Sequence, residues 1–153
     1  MSRRIDERTQ TLSNFDVYQK LLDLSDFTFS VCKPKEKNVN KKHIPKRLIC
    51  IGNMAIEAVT EMGALIMEAN DIYVGKNIEP ELRAHRYAER IDIENSVKML
   101  TYRLEHIARI LHKQVEFADS TITHWVGLLV ETRKLIEKWR ESDVEELHKL
   151  MRV

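Results

Sequence analysis

The chain has 153 residues, 43% of them apolar and 7% aromatic, with 4 glycines, 3 prolines, and 25 Lys and Arg against 24 Asp and Glu. So little Gly and Pro, with 32% of residues charged, excludes a collagenous or loop-dominated fold and predicts one domain of long amphipathic helices. A chain this long buries roughly two-thirds of its unfolded surface, so it needs neither disulfide nor metal to hold a core. Cys32 and Cys50 therefore read as free thiols, and a cytoplasmic protein is expected. No apolar run approaches the roughly 20 residues of a membrane span, and residues 1–12 have no hydrophobic signal core, so no membrane partner is expected.

The expected fold is all-α. It is an antiparallel up-down-up-down four-helix bundle over residues 13–141, with a flexible tail at 1–12 and a short C-terminal helix at 142–153. Helix one follows a cap at Ser13 or Asn14 and shows Phe15, Tyr18, Leu22, Phe29 and Cys32 at three- and four-residue spacing. It stops before Pro34, because the residue ahead of a proline leaves helical geometry. A polar connection over 33–44 leads to helix two, from about Pro45 to about Tyr73, with Gly75 closing it. One stripe on this helix is Leu48, Gly52, Ala55, Val59, Met62, Ile66 and Ala69; a second is Ile51, Ala58, Leu65 and Ile72. Two stripes call for two partners, and the surplus predicts a subunit interface.

Helix three runs from near Pro80 to Lys113 around Ile93, Val97, Leu100, Leu104, Ile107 and Leu111. Helix four is capped by Asp119 or Ser120 and ends near Arg140. Ile122, Val126, Leu129 and Ile136 form its core face, and Trp125, Leu128, Leu135 and Trp139 form a neighbouring face assigned to the oligomer interface. Ser142 and Glu145 have capping-box spacing for the short last helix, which carries Val144, Leu147 and Leu150.

A search for chemistry finds no catalytic residues. A di-iron bundle needs two Glu-x-x-His pairs on facing helices, and the chain has one such spacing, Glu145 to His148. His106 and His112 fall on nearly opposite sides of helix three, so they share no metal. Nucleophile-elbow, phosphate-loop and Cys-x-x-Cys patterns are absent from the sequence. No enzyme, metal or cofactor is expected.

Charge placement says more. Lys33, Lys35, Lys37, Lys41, Lys42, Lys46 and Arg47 stand against Glu36 alone, so residues 33–47 carry +6 within a chain of net +1, and the other 138 residues carry −5. Such a segment either contacts phosphates, with steep salt dependence, or is a solvated linker. On helix three, Arg83, Arg86 and Arg90 form a basic row beside Tyr87, and Tyr102, His106, Arg109 and Lys113 share a second face. Arginine with tyrosine suits phosphate contact and base stacking, although interspersed Glu89, Asp92, Glu94 and Glu105 also allow ordinary helical ion pairs. A ring would repeat each modest patch around one axis and multiply weak contacts.

Several segments then suggest a family. They are Phe15-Asp16-Val17-Tyr18-Gln19-Lys20-Leu21; Pro45-Lys46 leading to Gly52 and on to Ile66-Met67-Glu68-Ala69-Asn70; Asp92 followed by Arg103-Leu104; and Leu128-Leu129, Glu131, Arg133, Leu135 or Ile136, and Trp139. In this order and spacing the chain resembles, over roughly Phe15 to Glu141, the accessory variability determinant (Avd) proteins of diversity-generating retroelements. These are related to the four-helix-bundle proteins encoded in 23S ribosomal RNA intervening sequences. The resemblance implies a subunit of a ring-shaped homopentamer without catalytic activity. Such a ring partners the retroelement's reverse transcriptase, binds RNA or an RNA/DNA hybrid through basic surface, and supports cDNA synthesis. Of the family's basic pair on the third helix, Arg103 is matched and Met99 stands at the partner position.

The expected nucleic-acid contacts are thus Lys33, Lys35, Lys37, Lys41, Lys42, Lys46, Arg47, Arg103, Arg109 and Lys113, and the expected subunit contacts are Trp125, Leu128, Leu135 and Trp139. The rival reading is a structural protein–protein interaction bundle that binds no nucleic acid.

Overall fold

The computed structural model describes residues 15–32, 46–115 and 117–152. The tail at 1–12, the caps Ser13 and Asn14, the connection at 33–44 and Pro45 lie outside the described residues. Within them the protein is all-helical, with no strand: α1 is Asp16–Cys32, α2 Lys46–Asp71, α3 Pro80–Val115 and α4 Asp119–Met151.

Each helix packs on its neighbours in sequence, and α1 also packs on α4. Partners on adjoining helices run in opposite order. Arg90 meets Asp143, Arg140 meets Asn95, Lys98 meets Glu137 and Arg133 meets Thr101. Between α1 and α4, Phe15 meets Trp139, Lys20 meets Glu131 and Thr28 meets Trp125. Between α1 and α2, Gly52 faces Cys32 and Gly63 faces Leu21. A β-carbon at Gly63 would stand 3.1 Å from a Leu21 methyl, so the missing side chain lets these two helices close up.

The apolar stripes of α2 and α3 fall where the periodicity puts them except at Leu48 and Ile93, which are half-buried. Gly52, Ala55, Val59, Met62, Ile66 and Ala69 are buried on α2, as are Val97, Leu100, Leu104, Ile107 and Leu111 on α3. Helix α1 differs from expectation. Its buried residues are Val17, Leu21, Leu24 and Thr28, after Phe15 ahead of the helix, whereas Leu22 and Phe29 are exposed. Thr28 takes a core position because its hydroxyl is satisfied twice: it donates to the Leu24 carbonyl at 2.7 Å and accepts from the Trp125 indole at 2.9 Å.

Helix α2 stops at Asp71, short of Gly75, where the Tyr73 ring lies in the space a β-carbon would need. By length and composition alone α2 could cross a bilayer, a test that the core helix of a bundle passes equally. Its interruptions are mostly Gly, Ala, Asn and Thr, and between Arg47 and Glu68 only Glu57 and Glu61 carry charge.

Helix α4 corrects the C-terminal boundary. No break occurs near Arg140; one helix of 33 residues continues to Met151, and its start at Ala118 makes no side-chain capping bond. The Ser142 to Glu145 spacing goes unused as a cap because Asp143, between them, is buried against Arg90 inside the continuous helix. The core face of α4 is also redrawn. Trp125, Leu129, Thr132 and Ile136 are buried, while Leu128, Leu135 and Trp139 pack partly buried around them.

Candidate nucleic-acid interface

One end of the fold gathers the candidate cations. The C-terminus of α1 lies against the N-terminal part of α2, through Cys32 and Gly52, and against the start of α4, through Thr28 and Trp125. The C-terminus of α3 joins them, since His112 Nε2 is 3.2 Å from Asp119 Oδ1. Cys32, just before the +6 stretch, and Lys46, near its end, therefore belong to the end that also holds Lys113. Lys46, Arg47 and Lys113 are exposed there, with Arg103 exposed farther back on α3. Lys33, Lys35, Lys37, Lys41 and Lys42 lie outside the described residues.

The outer face of α3 is polarised along its length. Exposed Glu81, Glu89 and Asp92 occupy the N-terminal half, and exposed Arg103, His106, Arg109 and Lys113 the C-terminal half. This arrangement opposes the helix macrodipole at both ends and stabilises the helix. Arg109 is partly committed: its guanidinium is 3.3 Å from Glu105 Oε2.

Glu105 also accepts from Arg133 at 2.9 Å, while Arg133 Nε donates to Thr101 Oγ1 at 2.9 Å. The Arg133 hydrogen bond is the main reason the Glu105 carboxyl titrates below its usual range. The same guanidinium lies 3.9 Å from the centre of the Tyr102 ring, so Tyr102 stands on a fixed cation while remaining 48% exposed. Sequence periodicity finds Tyr102 but not this support, because Arg133 arrives from another helix.

The row Arg83, Arg86 and Arg90 is spent internally. Arg83 donates to the Val74 carbonyl at 2.8 Å and Arg86 to the Tyr73 carbonyl at 3.1 Å, which satisfies backbone oxygens just beyond α2. Arg90 is buried, bonded to Asp143 at 3.1 Å, with the rings of Tyr87 and Trp139 beside it. Next to this pair, Glu94 is fully buried and neither carboxylate oxygen has a hydrogen-bond partner. Burial first, then the neighbouring Asp143, push its pKa up to about 10. Held neutral, Glu94 becomes a donor that Asp143 can accept, which supplies the bond the carboxylate form lacks.

The expected subunit contacts also need correction. Trp125 is 0% exposed and its indole N–H is taken by Thr28, so it is a core residue and not a surface one. Trp139 packs edge-on against Phe15 at 4.8 Å. Exposed apolar side chains include Leu22 and Phe29 on α1 and Ile49, Met54 and Met67 on α2, with others on α3 and α4 such as Leu82, Met99 and Met151. Among the described residues, no group of three His, Cys, Asp or Glu side chains is placed to hold a metal ion.

Compared with known proteins, the chain matches no protein-family model, no curated protein and no solved structure.

Proposed function

We propose that this chain is a non-catalytic accessory subunit: an up-down-up-down bundle that forms a ring, engages a reverse transcriptase of the diversity-generating class, and holds RNA or an RNA/DNA hybrid during cDNA synthesis. The observation that carries the nucleic-acid part is the single bundle end that brings together Cys32, just before the +6 stretch, exposed Lys46 and Arg47, which close it, and the cationic half of α3. Phosphate contacts from such a cluster release counterions, so affinity falls steeply with salt. The bundle topology draws support from the opposed order of partners between α3 and α4, α1 and α4, and α1 and α2.

The ring draws support from exposed apolar side chains on α1 and α2. Leu22, Phe29, Ile49 and Met67 are the side chains to cover, in place of Trp125. Fivefold symmetry and the reverse-transcriptase partner follow from the family resemblance described above.

The nucleic-acid reading is tested by fluorescence anisotropy of the full chain with structured RNA at two salt concentrations, beside a variant with Lys35, Lys37, Lys41 and Lys42 replaced by glutamine. A clear loss of affinity in the variant and at higher salt is expected. Affinity insensitive to both would favour the rival, a protein-only interaction bundle. That rival has one observation on its side: Arg83, Arg86, Arg90 and Arg133 all serve internal contacts. The ring is tested by light scattering, where a monomer at micromolar concentration would exclude it.

A further inference from the structure

We propose that the groove between α2 and α3 is a nucleobase site that takes an unpaired guanine from a single strand. Tyr102 is its stacking face, Glu61 reads the donor edge of the base and Arg103 meets the adjoining phosphate. The proposal rests on the nucleic-acid reading above and deepens it, from charge attraction to recognition of one base.

The groove encloses about 530 Å3 and is walled by Glu61 and Leu65 of α2 and by Met99, Leu100, Tyr102 and Arg103 of α3. Three features make it unlike the rest of the surface. The first is a supported aromatic ring. Arg133 packs on Tyr102 from α4, and Tyr102 also lines the groove between α2 and α3. Thr101 and Glu105 pin that guanidinium from below. A ring already held in place loses little freedom when a base stacks on it.

The second feature is an apolar bed. Met99, 67% exposed, lines the groove with half-buried Leu65 and buried Leu100. This surface suits the flat, weakly hydrated face of a base and offers nothing to a phosphate.

The third is Glu61, an exposed anion on the groove wall. A carboxylate there repels phosphate and accepts hydrogen bonds only. Guanine is the common base whose pairing edge places two donors side by side, its N1–H and its amino group. Adenine and cytosine pair one amino donor with an acceptor, and uracil flanks one imino donor with two acceptors. A carboxylate facing a stacked base therefore selects guanine. The base must be unpaired, because both its face and its pairing edge are used.

Arg103 follows Tyr102 in the chain and is exposed beside it, in place to take the phosphate of the stacked nucleotide. From there Arg109 and Lys113 continue along the same helix for roughly 15 Å toward the cationic end.

The test uses the full chain and fluorescein-labelled oligouridylates carrying one central guanosine, or adenosine, cytidine or inosine at that place, measured by anisotropy. The guanosine strand is expected to bind about tenfold more tightly than the adenosine and cytidine strands, with inosine, which lacks the amino group, in between. Tyr102→Leu should lose the tenfold advantage and Tyr102→Phe should keep it. Glu61→Ala should erase the guanosine preference while affinity for plain oligouridylate stays level or rises. Thermal melts confirm that each variant is folded. Equal binding of all four strands, or a guanosine preference that survives Tyr102→Leu, overturns the base site and leaves the nucleic-acid reading standing if affinity still falls with salt. Failure of every strand to bind at low salt overturns both.

Discussion

Arg90 and Asp143 are 53 residues apart in the chain and 3.1 Å apart in space, with side chains only 10% and 6% exposed. Their contact makes the last turns of α4 part of the fold, where Ser142 and Glu145 suggested a separate cap. A buried pair adds little compared with an apolar pair of the same shape, but removing one partner strands the other charge. Arg90→Ala, which strands Asp143 beside Glu94, should therefore cost about 3–5 kcal/mol, read from urea denaturation by circular dichroism. Removing residues 142–153 should be similarly destabilising; a truncated chain as stable as the whole would show that the pair is immaterial.

Glu94 should give stability an unusual pH dependence. Its pKa in the folded protein is about 10, against 4.5 for a free carboxyl. Folding therefore takes up a proton between those values, and the unfolded chain ionises first. The contribution of this site is complete below about pH 4.5 and is lost progressively as pH rises toward 10. Glu94→Gln keeps a neutral group there, so the variant should be more stable than the parent above neutral pH, with a flatter stability profile. In the Asp143→Ala background the sign should reverse, because Glu94 can then ionise and pair with Arg90. A double-mutant cycle of urea midpoints checks this, and additivity of the two substitutions would refute it.

Thr28→Val should leave the Trp125 indole N–H buried without an acceptor. The shapes nearly match, so the loss, about 1–3 kcal/mol, is mainly the penalty of an unmet donor. Thermal unfolding followed by tryptophan fluorescence would measure it. Thr28→Ser, which keeps the hydroxyl, should lose less, and equal losses for the two would assign the effect to packing alone.

The two cysteines should react at different rates. Burial pushes the Cys32 thiol up to about 11, so it holds little thiolate at neutral pH, whereas Cys50 is exposed near the start of α2. A thiol reagent added to native protein at pH 7.5 should label Cys50 quickly and Cys32 only slowly, with both labelled after denaturation. Mass spectrometry of the digested product identifies the site, and faster labelling at Cys32 would contradict its burial.

How far the sequence could be read depended on whether a side chain's partner lies on its own helix. The stripes of α2 and α3 are apolar residues at regular spacing, so Val59, Met62, Leu100 and Leu104 are legible from periodicity alone. Helix α1 misleads because a core threonine, Thr28, looks polar until Trp125 supplies its partner, while Phe29 looks like core and stays exposed. Helix α4 misleads in the same way. Trp125 belongs to the core, and Asp143 reads as surface until Arg90 arrives from α3. The basic row on α3 is visible in sequence, but its use is not, because the acceptors for Arg83 and Arg86 are carbonyls beyond α2. At the candidate site Tyr102 and Arg103 are legible, whereas Arg133 beneath the ring comes from α4 and Glu61 across the groove comes from α2.

The unequal helix lengths have a last consequence. Helix α1 has 17 residues and spans roughly 25 Å, while α3 and α4, with 36 and 33, each span about 50 Å. Since Phe15 meets Trp139, α4 beyond Arg140 runs past the start of α1, with the first turns of α3 as its partner. The protein therefore contains a four-helix part with an apolar interior and a two-helix forearm whose base is the cluster of Arg90, Glu94 and Asp143. Less apolar contact and more polar burial leave the forearm the lower local opening energy. Its amides should exchange with deuterium ahead of those around Met62 and Leu104, so the molecule breathes at one end while staying closed at the other.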